Sequence, residues 1–199
     1  MKIVFFLLKK KVGDFYVHSG SIQEFAKSIQ VYVTNRYSSC VYFASSTLMG
    51  LAIKDEATAS AVHQADILVP EGGPIVKNLR RKHRVNAVSI KREELLRKVM
   101  ELVSEEEVCF YGSTEWKSLY PKATFIKPVS DQNSVAAVLN DTGAGLIVVC
   151  LPESEQARWM QHMKGKVNAC MLGMGLKTAM LEKWSPANLL HRFRLYSRL

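Results

Sequence analysis

The sequence lacks paired cysteines and long apolar runs. Its four cysteines show no C-x-x-C spacing, which argues against a zinc site or a disulfide scaffold and is typical of buried, reduced thiols: Cys40, Cys109, Cys150 and Cys170. No run approaches the roughly 18 apolar residues of a membrane span. The apolar N-terminus before Lys9 is shorter than the roughly 7–15 residues that a secretory signal needs. We therefore expect a soluble or peripherally bound protein.

Several ligand-binding signatures are also missing. The chain contains neither the G-x-G-x-x-G pattern of dinucleotide sites nor the P-loop pattern of nucleotide hydrolases. The five histidines are not arranged at metal-ligand spacing. The sequence accordingly predicts no metal and no cofactor.

Acidic residues are too few to balance the basic ones. There are 27 lysines and arginines against 18 aspartates and glutamates, a net charge of +9, so an anionic partner is expected. Nucleic acid, a phosphorylated substrate and an acidic membrane surface all fit. No recognised nucleic-acid-binding module and no basic face interleaved with aromatic residues is visible. We therefore predict no nucleic-acid partner and keep nucleic-acid binding as an alternative.

What the sequence does contain is a repeated alternation of short apolar runs and amphipathic stretches. A capping box at Ser21 and Glu24 begins one helix, and further helices are predicted over Glu93–Val103, Ser130–Leu139 and Ser154–Met163. The predicted strands are Ile3–Leu8, Cys40–Ala44, Ile67–Val69, Val108–Tyr111, Thr124–Ile126, Leu146–Leu151 and Val167–Leu172. The pattern predicts one α/β domain over residues 1–199, Rossmann-like, with a largely parallel sheet covered by helices on both faces.

Ligands of such sheets bind beyond the carboxyl ends of the strands. Small or polar residues follow several predicted strands there, and they are the candidates for a binding site: Ser45, Gly72, Gly73, Gly112, Ser113, Gly173 and Gly175. Such residues let a ligand approach the backbone. Their other interpretation is ordinary strand-to-helix turn chemistry.

Two blocks of sequence resemble a known family. The segment ADILVPEGGPIV at 65–76 is similar to the signature of the WecG/TagA/CpsF glycosyltransferases, in which P-D-G-x-G follows three apolar residues. The segment LNDTGAGLIVVCLPESEQARW at 139–159 is similar to that family's second block. Tyr120-Pro121 and the segment FYGS at 110–113 fall in the matching order.

The resemblance implies an enzyme that transfers a hexose or N-acetylhexosamine from a UDP-sugar to a polyprenyl-diphosphate-linked saccharide. It implies inversion at the anomeric centre without a metal ion. It also implies that the enzyme takes part in surface polysaccharide assembly at the cytoplasmic face of a bacterial membrane. A homo-oligomer is left open. The alternative is a catalytically silent family member that binds a nucleotide sugar, a lipid-linked glycan or a partner protein.

The chain departs from the family pattern at several positions near the expected site. Glu71 replaces the signature aspartate, and Phe43 and Ser45 stand where the family has threonine and asparagine. Ala157 replaces the glutamate that follows the motif glutamine, and two motif glycines are replaced by Cys150 and Pro152. These departures motivate the catalytically silent alternative.

The resemblance assigns roles to individual residues. Glu71 would be the catalytic base, although a glutamate at a helix start is also stabilised by the helix dipole alone. Gln156 would bind donor, or it is a solvated residue of an amphipathic helix. The small strand-end residues would bind substrate, their glycine turns offering backbone N–H groups to a diphosphate.

The C-terminal segment, residues 185–199, is predicted to be a basic amphipathic helix. By resemblance, Arg192, Arg194 and Arg198 would hold the lipid diphosphate or the membrane surface. The alternative is a helix that packs on the domain and leaves its arginines in solvent.

Overall fold

The computed structural model describes residues 7–129 and 132–176. Its strands are β1 (Leu8–Val12), β2 (Phe15–Ser19), β3 (Ser39–Ala44), β4 (Ile67–Pro70), β5 (Val108–Tyr111), β6 (Thr124–Ile126), β7 (Leu146–Val149) and β8 (Cys170–Gly173). Its α-helices are α1 (Ile22–Thr34), α2 (Ser46–Lys54), α3 (Glu56–His63), α4 (Gly73–His83), α5 (Arg92–Met100), α6 (Gln132–Asp141) and α7 (Glu153–Met163).

Six of the strands form one sheet in the order β4-β3-β8-β7-β5-β6. Every pairing in it is parallel. Parallel neighbours need crossovers, and helices supply them, so the sheet is covered on both faces. The predicted Rossmann-like α/β class is confirmed.

The two faces of the sheet belong to two separate cores. Successive side chains of β3 alternate, so that Cys40, Tyr42 and Ala44 enter one core while Val41 and Phe43 enter the other. Helices α1 and α5 pack on the second face, and α2, α3, α4, α6 and α7 pack on the first. Because side chains alternate with a period of two, this arrangement fixes the register of each strand.

Helix α1 begins as its sequence predicts. The Ser21 hydroxyl accepts the Glu24 backbone N–H at 3.3 Å, and the Glu24 carboxylate accepts the Ser21 N–H at 2.6 Å. The reciprocal pair satisfies two backbone donors that the first turn leaves without helical partners. Phe25, Ile29 and Val33 then line the buried face.

The N-terminal hairpin differs from the prediction. A strand was expected over Ile3–Leu8 with the lysines closing it, but the described strand starts at Leu8 and continues through the lysines to Val12. It pairs antiparallel with the unpredicted β2. Lys9 and Lys11 are exposed whereas Val12 is buried, so the lysines are compatible with a strand that has one face in solvent. Residues 3–6 of the predicted strand lie outside the described residues.

Other predicted boundaries shift by a few residues. The last strand begins at Cys170 rather than Val167, because the Val167 N–H still bonds the Met163 carbonyl at the end of α7. Helix α5 ends at Met100, short of the predicted Val103. The predicted C-terminal helix over 185–199 lies outside the described part of the chain.

The hairpin protects one edge of the large sheet. Strand β4 is an edge strand, and the Leu68 N–H that faces away from β3 donates to Nδ1 of His18 at 2.9 Å. His18 is buried, and Lys9 lies close to it. An imidazole acceptor therefore satisfies a backbone donor that an open edge would leave exposed.

The burial of His18 makes the stability of the fold depend on pH. Burial, helped by the positive charge of Lys9, lowers the pKa of His18 to about 4, while Leu68 and Asp66 oppose the shift. In the unfolded chain His18 takes up a proton near pH 6.5, whereas in the folded protein it does so only near pH 4. Unfolding should therefore become easier as pH falls through this window, by about 3 kcal/mol when the loss is complete.

We expect His18→Gln to reduce that pH dependence, since glutamine offers an acceptor for Leu68 but takes up no proton. Urea unfolding of both proteins between pH 4 and pH 7 measures it. Curves of free energy against pH that run parallel for wild type and variant would contradict the assignment.

Candidate active site

The carboxyl ends of four adjacent strands converge on one small cluster of polar residues. Glu71 follows β4, Ser45 follows β3, Gly175 lies just beyond β8, and Glu153 lies just beyond β7. Arg92, the first residue of α5, reaches the same place because the Ile90 N–H bonds the Pro70 carbonyl and brings the chain back alongside β4.

Arg92 is the centre of this cluster. Its Nε lies 3.1 and 3.0 Å from the two carboxylate oxygens of Glu71, and its Nη2 lies 2.8 Å from Oε2 of the same residue. Nη2 also donates to Glu153, and Nη1 donates to the Met174 carbonyl at 3.1 Å. The guanidinium carbon lies 5.4 Å from the centre of the Phe43 ring, within the range of a cation–π contact.

The three charged side chains are largely removed from water. Arg92 and Glu153 are each 15% exposed, and Glu71 is 25% exposed. Bidentate pairing with a planar guanidinium is the geometry in which a buried carboxylate is best compensated. The greater exposure of Glu71 leaves its carboxylate reachable from solvent.

The environment changes the acidity of this group. Burial raises the pKa of Glu71 above its ordinary value, and Arg92 opposes that rise without cancelling it. Burial alone would lower the pKa of Arg92, but Glu153 and Glu71 outweigh it and raise the pKa. The cluster therefore holds a fixed cation beside a carboxylate that is more basic than a free glutamate.

Ser45 connects Glu153 to the start of a helix. Its hydroxyl donates to the Glu153 carboxylate at 3.1 Å and accepts the Leu48 N–H at 3.0 Å as the N-cap of α2. The predicted site residue thus lies in the cluster. Its hydroxyl has a structural role as a helix cap, while its contact with Glu153 positions that carboxylate.

Gln156 is buried, only 3% exposed, so the alternative of a solvated residue is wrong. Its Oε1 accepts the Gly175 N–H at 2.7 Å. A Cβ on Gly173 would collide with its side-chain amide, and one on Gly175 would lie 2.7 Å from Nη1 of Arg92. The two glycines therefore give Gln156 and Arg92 the space that they occupy.

Gly72 and Gly73 carry the chain from Glu71 into α4. Gly72 has φ +89°, and its N–H donates to the Ser89 hydroxyl at 2.8 Å. This bond ties the residue after Glu71 to the loop that leads to Arg92. Gly73 begins the helix, with nothing within 4 Å of where a Cβ would lie.

Gly112 and Ser113 directly follow β5. Their hydrogen-bond partners lie near the carboxyl end of that strand. The Gly112 N–H donates to the Ile126 carbonyl at 3.0 Å, and a Cβ on Gly112 would collide with the Cys150 carbonyl oxygen. The Ser113 hydroxyl accepts the Glu115 N–H at 3.2 Å. These bonds fit turn chemistry, and a role in holding substrate stays a prediction.

Within the part of the chain that the structure describes, no three histidine, cysteine, aspartate or glutamate residues gather in a group suited to a metal ion. The two carboxylates of the cluster are bridged by Arg92 instead. Among those same residues, no helix has both the length and the apolar character needed to cross a bilayer.

The comparison with protein families decides the identity of the chain. The model of the glycosyl transferase WecG/TagA/CpsF family matches residues 10–181. The chain belongs to this family. A search of curated proteins found no match.

The family match spans nearly all of the described residues and leaves the far C-terminus out. It includes Glu71 and Gln156, the two residues on which the resemblance placed the base and a donor contact. Arg192, Arg194 and Arg198 lie beyond both the match and the described residues. Their proposed contact with lipid therefore stays a prediction.

Two members of the cluster were missed by sequence reasoning. The sequence analysis assigned no role to Arg92 or to Glu153, yet their ion pair joins residues 61 positions apart. A single arginine at a helix start resembles any solvated cation. The only available signal was the position of Glu153 directly after the Leu151-Pro152 turn, at a carboxyl end of the sheet.

The adjacent glycines at the site provide a direct test of its backbone geometry. Gly72→Ala should destabilise the fold by about 1–3 kcal/mol, since its φ lies where L-residues are strained, although the nearest atom to a Cβ is 3.8 Å away. Gly73→Ala should change stability by less than about 0.5 kcal/mol, because the position is open and helical.

Chemical unfolding of the two variants checks the difference. The substitutions add the same methyl group at neighbouring positions, so each is the matched control for the other. Equal losses of stability would show that the conformation of Gly72 is not a constraint.

Proposed function

We propose that the protein is an inverting glycosyltransferase that moves a sugar from a UDP-sugar to a polyprenyl-diphosphate-linked saccharide. The sugar transfer would take place at the cytoplasmic face of a bacterial membrane, during surface polysaccharide synthesis. Membership of a glycosyltransferase family supports the reaction class. The donor, the acceptor and the stereochemistry are parts of the proposal.

The observation that carries the proposal is the position of Glu71. Its carboxylate lies at the carboxyl end of β4, half-buried and reachable from solvent, at the edge of a parallel sheet where ligands bind. In the proposed step a Glu71 oxygen removes the proton of the acceptor hydroxyl. The acceptor oxygen then attacks the anomeric carbon from the side opposite UDP, the bond to UDP breaks, and UDP leaves with the electron pair, which inverts the centre.

The arrangement around Glu71 suits a general base. A base works best when its pKa lies closer to the working pH, and burial raises the pKa of Glu71 in that direction. Arg92 keeps the carboxylate ionised and oriented by donating to both of its oxygens. Oε2 accepts two bonds from Arg92 and Oε1 accepts one, so Oε1 retains a lone pair for a substrate proton.

The donor would be held beside this base by the other strand ends. In the proposal, Gln156 acts as a positioning residue, because it fixes the Gly173–Gly175 turn next to Arg92. Backbone N–H groups of the glycine turns, including Gly112 and its neighbour Ser113, would meet the diphosphate. Arg192, Arg194 and Arg198 would complete the contact with lipid diphosphate.

A second candidate is a silent family member that binds the same ligands without turnover. Two observations favour it: Arg92 already bonds both oxygens of Glu71, and Phe43 places an apolar ring under Arg92 where the family pattern has a threonine. Such a protein would bind a nucleotide sugar and release no UDP.

Thermal unfolding in the presence of UDP and several UDP-sugars identifies the donor first. A ligand at 100 times its dissociation constant should stabilise the fold by about 2.7 kcal/mol. UDP release with that donor and a lipid-linked acceptor then separates the two candidates, since only the enzyme turns over.

We expect Glu71→Gln to lower the rate of sugar transfer by about 100-fold or more, because glutamine keeps the size of the side chain and cannot accept the proton. The exposed Glu101, which pairs with Lys98 on the surface, is the matched control, and Glu101→Gln should transfer at the wild-type rate. Transfer by Glu71→Gln at that same rate would remove Glu71 as the base.

Arg92→Gln should move the acidic limb of the rate profile to higher pH. Burial already raises the pKa of Glu71, and the loss of the opposing guanidinium raises it further. The variant should therefore lose more activity at pH 6 than at pH 8. A loss that is uniform across the pH range would show that Arg92 acts only as structural support.

A further inference from the structure

Two carboxylates share one guanidinium in the candidate site. Nη2 of Arg92 lies 2.8 Å from Oε2 of Glu71, and the same nitrogen donates to Oε1 of Glu153. The two hydrogens of that nitrogen are therefore divided between the two carboxylates. With one cation and two anions, the cluster carries a net charge of −1 when both carboxylates are ionised.

Glu153 is also held in place independently of Arg92. The Ser45 hydroxyl lies 3.1 and 3.3 Å from its two carboxylate oxygens, and Ser45 is itself fixed as the N-cap of α2. Glu153 is the first residue of α7, where the helix dipole favours a negative charge. Its side chain is only 15% exposed, so solvent screens its charge weakly.

The face of α7 that carries Glu153 also holds the turn beside Arg92. Gln156 follows Glu153 by three residues and therefore lies one turn further along the same face. Its Oε1 accepts the Gly175 N–H at 2.7 Å, and Arg92 donates to the Met174 carbonyl at 3.1 Å in the same turn. The guanidinium is thus oriented by α7 and the end of β8 as well as by the carboxylate after β4.

The charges around Glu71 oppose one another. Among the described residues, the charged groups that act on its carboxyl are Arg92 and Glu93 of α5 and Glu153 of α7. Burial raises the pKa of Glu71 most, Arg92 lowers it, and both glutamates raise it, Glu153 more than Glu93. A guanidinium beside a lone carboxylate lowers the pKa of that carboxylate, and a second carboxylate on the same nitrogen offsets part of the effect.

We propose that Glu153 is a positioning residue of the site: by taking part of the charge and hydrogen bonding of Arg92, it keeps the Glu71 carboxylate able to accept a proton from a substrate hydroxyl. The assignment rests on the proposed function, in which Glu71 is the base. The two partners in the cluster then have opposite tasks. Arg92 keeps the carboxylate ionised and oriented, whereas Glu153 prevents the guanidinium from making it too weak a base.

The protonation of Glu71 in the wild type and in Glu153→Gln tests the proposal. The NMR resonance of the Glu71 carboxyl carbon, assigned by its disappearance in Glu71→Gln, gives the pH midpoint of protonation without any substrate. In the wild type the midpoint should lie above that of free glutamate, since burial and Glu153 raise the pKa of Glu71. In Glu153→Gln it should fall, because glutamine keeps the size of the side chain and removes the negative charge.

Sugar transfer gives a second readout. In Glu153→Gln the acidic limb of the rate profile should move to lower pH, the opposite direction to that expected for Arg92→Gln. The rate on the alkaline plateau should fall as well, because a less basic carboxylate removes a proton less readily. A uniform loss across the pH range, with an unchanged midpoint, would show that Glu153 gives structural support only and would overturn the proposal.

Two variants isolate the negative charge at this position. Glu153→Asp keeps the charge, so its midpoint should stay closer to the wild-type value than that of Glu153→Gln. Glu155→Gln is the matched control, since Glu155 is exposed in the same first turn of α7, and its midpoint and rate profile should be those of the wild type. Equal shifts in Glu153→Gln and Glu155→Gln would mean that net charge alone acts, and would reject the assignment.

The wild-type midpoint is informative even where a variant does not fold. A value at or below that of free glutamate would overturn the proposal, as would a midpoint that stays constant or rises in Glu153→Gln. Failure of the proposed function gives a different result. The wild-type protein would then release no UDP with any donor and acceptor, while the midpoint of Glu71 would still decide whether Glu153 opposes Arg92.

Discussion

The site depends on one buried cation. Arg92 joins the loop after β4, the end of β8 and the start of α7 through bonds to Glu71, the Met174 carbonyl and Glu153. Taking one guanidinium and two carboxylates out of water is costly, and only close, multiple hydrogen bonds offset that cost. Removal of one partner would leave the others buried and uncompensated, so the three side chains hold one another in place.

Neighbouring residues hold this cluster in position. Ser45 caps α2 and bonds Glu153, Gln156 holds the turn after β8, and Gly175 leaves room for the guanidinium. Phe43 covers one side of the ion pair. A single arrangement thus supplies helix capping, turn geometry and a carboxylate whose pKa is raised, and this combination supports the assignment of Glu71 as a base.

The fold itself was accessible from the sequence because its signals are local. Short, largely apolar runs of three to six residues form the parallel strands, and the capping box at Ser21 and Glu24 begins α1 as its spacing predicts. The hairpin was missed because three consecutive lysines, Lys9 to Lys11, interrupt the alternation of apolar and polar residues that marks a strand. Val12 is the buried residue of β1, and it packs with the buried residues of β2. Charge on the outer face of a strand masks its period of two when burial is not yet known.

The sequence by itself determined the α/β class, the family and the position of Glu71 after a buried strand, since these rest on residues that are neighbours in the chain. Only the tertiary structure decided that Arg92 turns inward, that Gln156 is buried, and that strand β1 lies against α4. The physical reason is separation along the chain. The partners of Arg92 lie 21, 61 and 82 positions away, and nothing in the residues around an arginine tells whether a carboxylate or water will satisfy it.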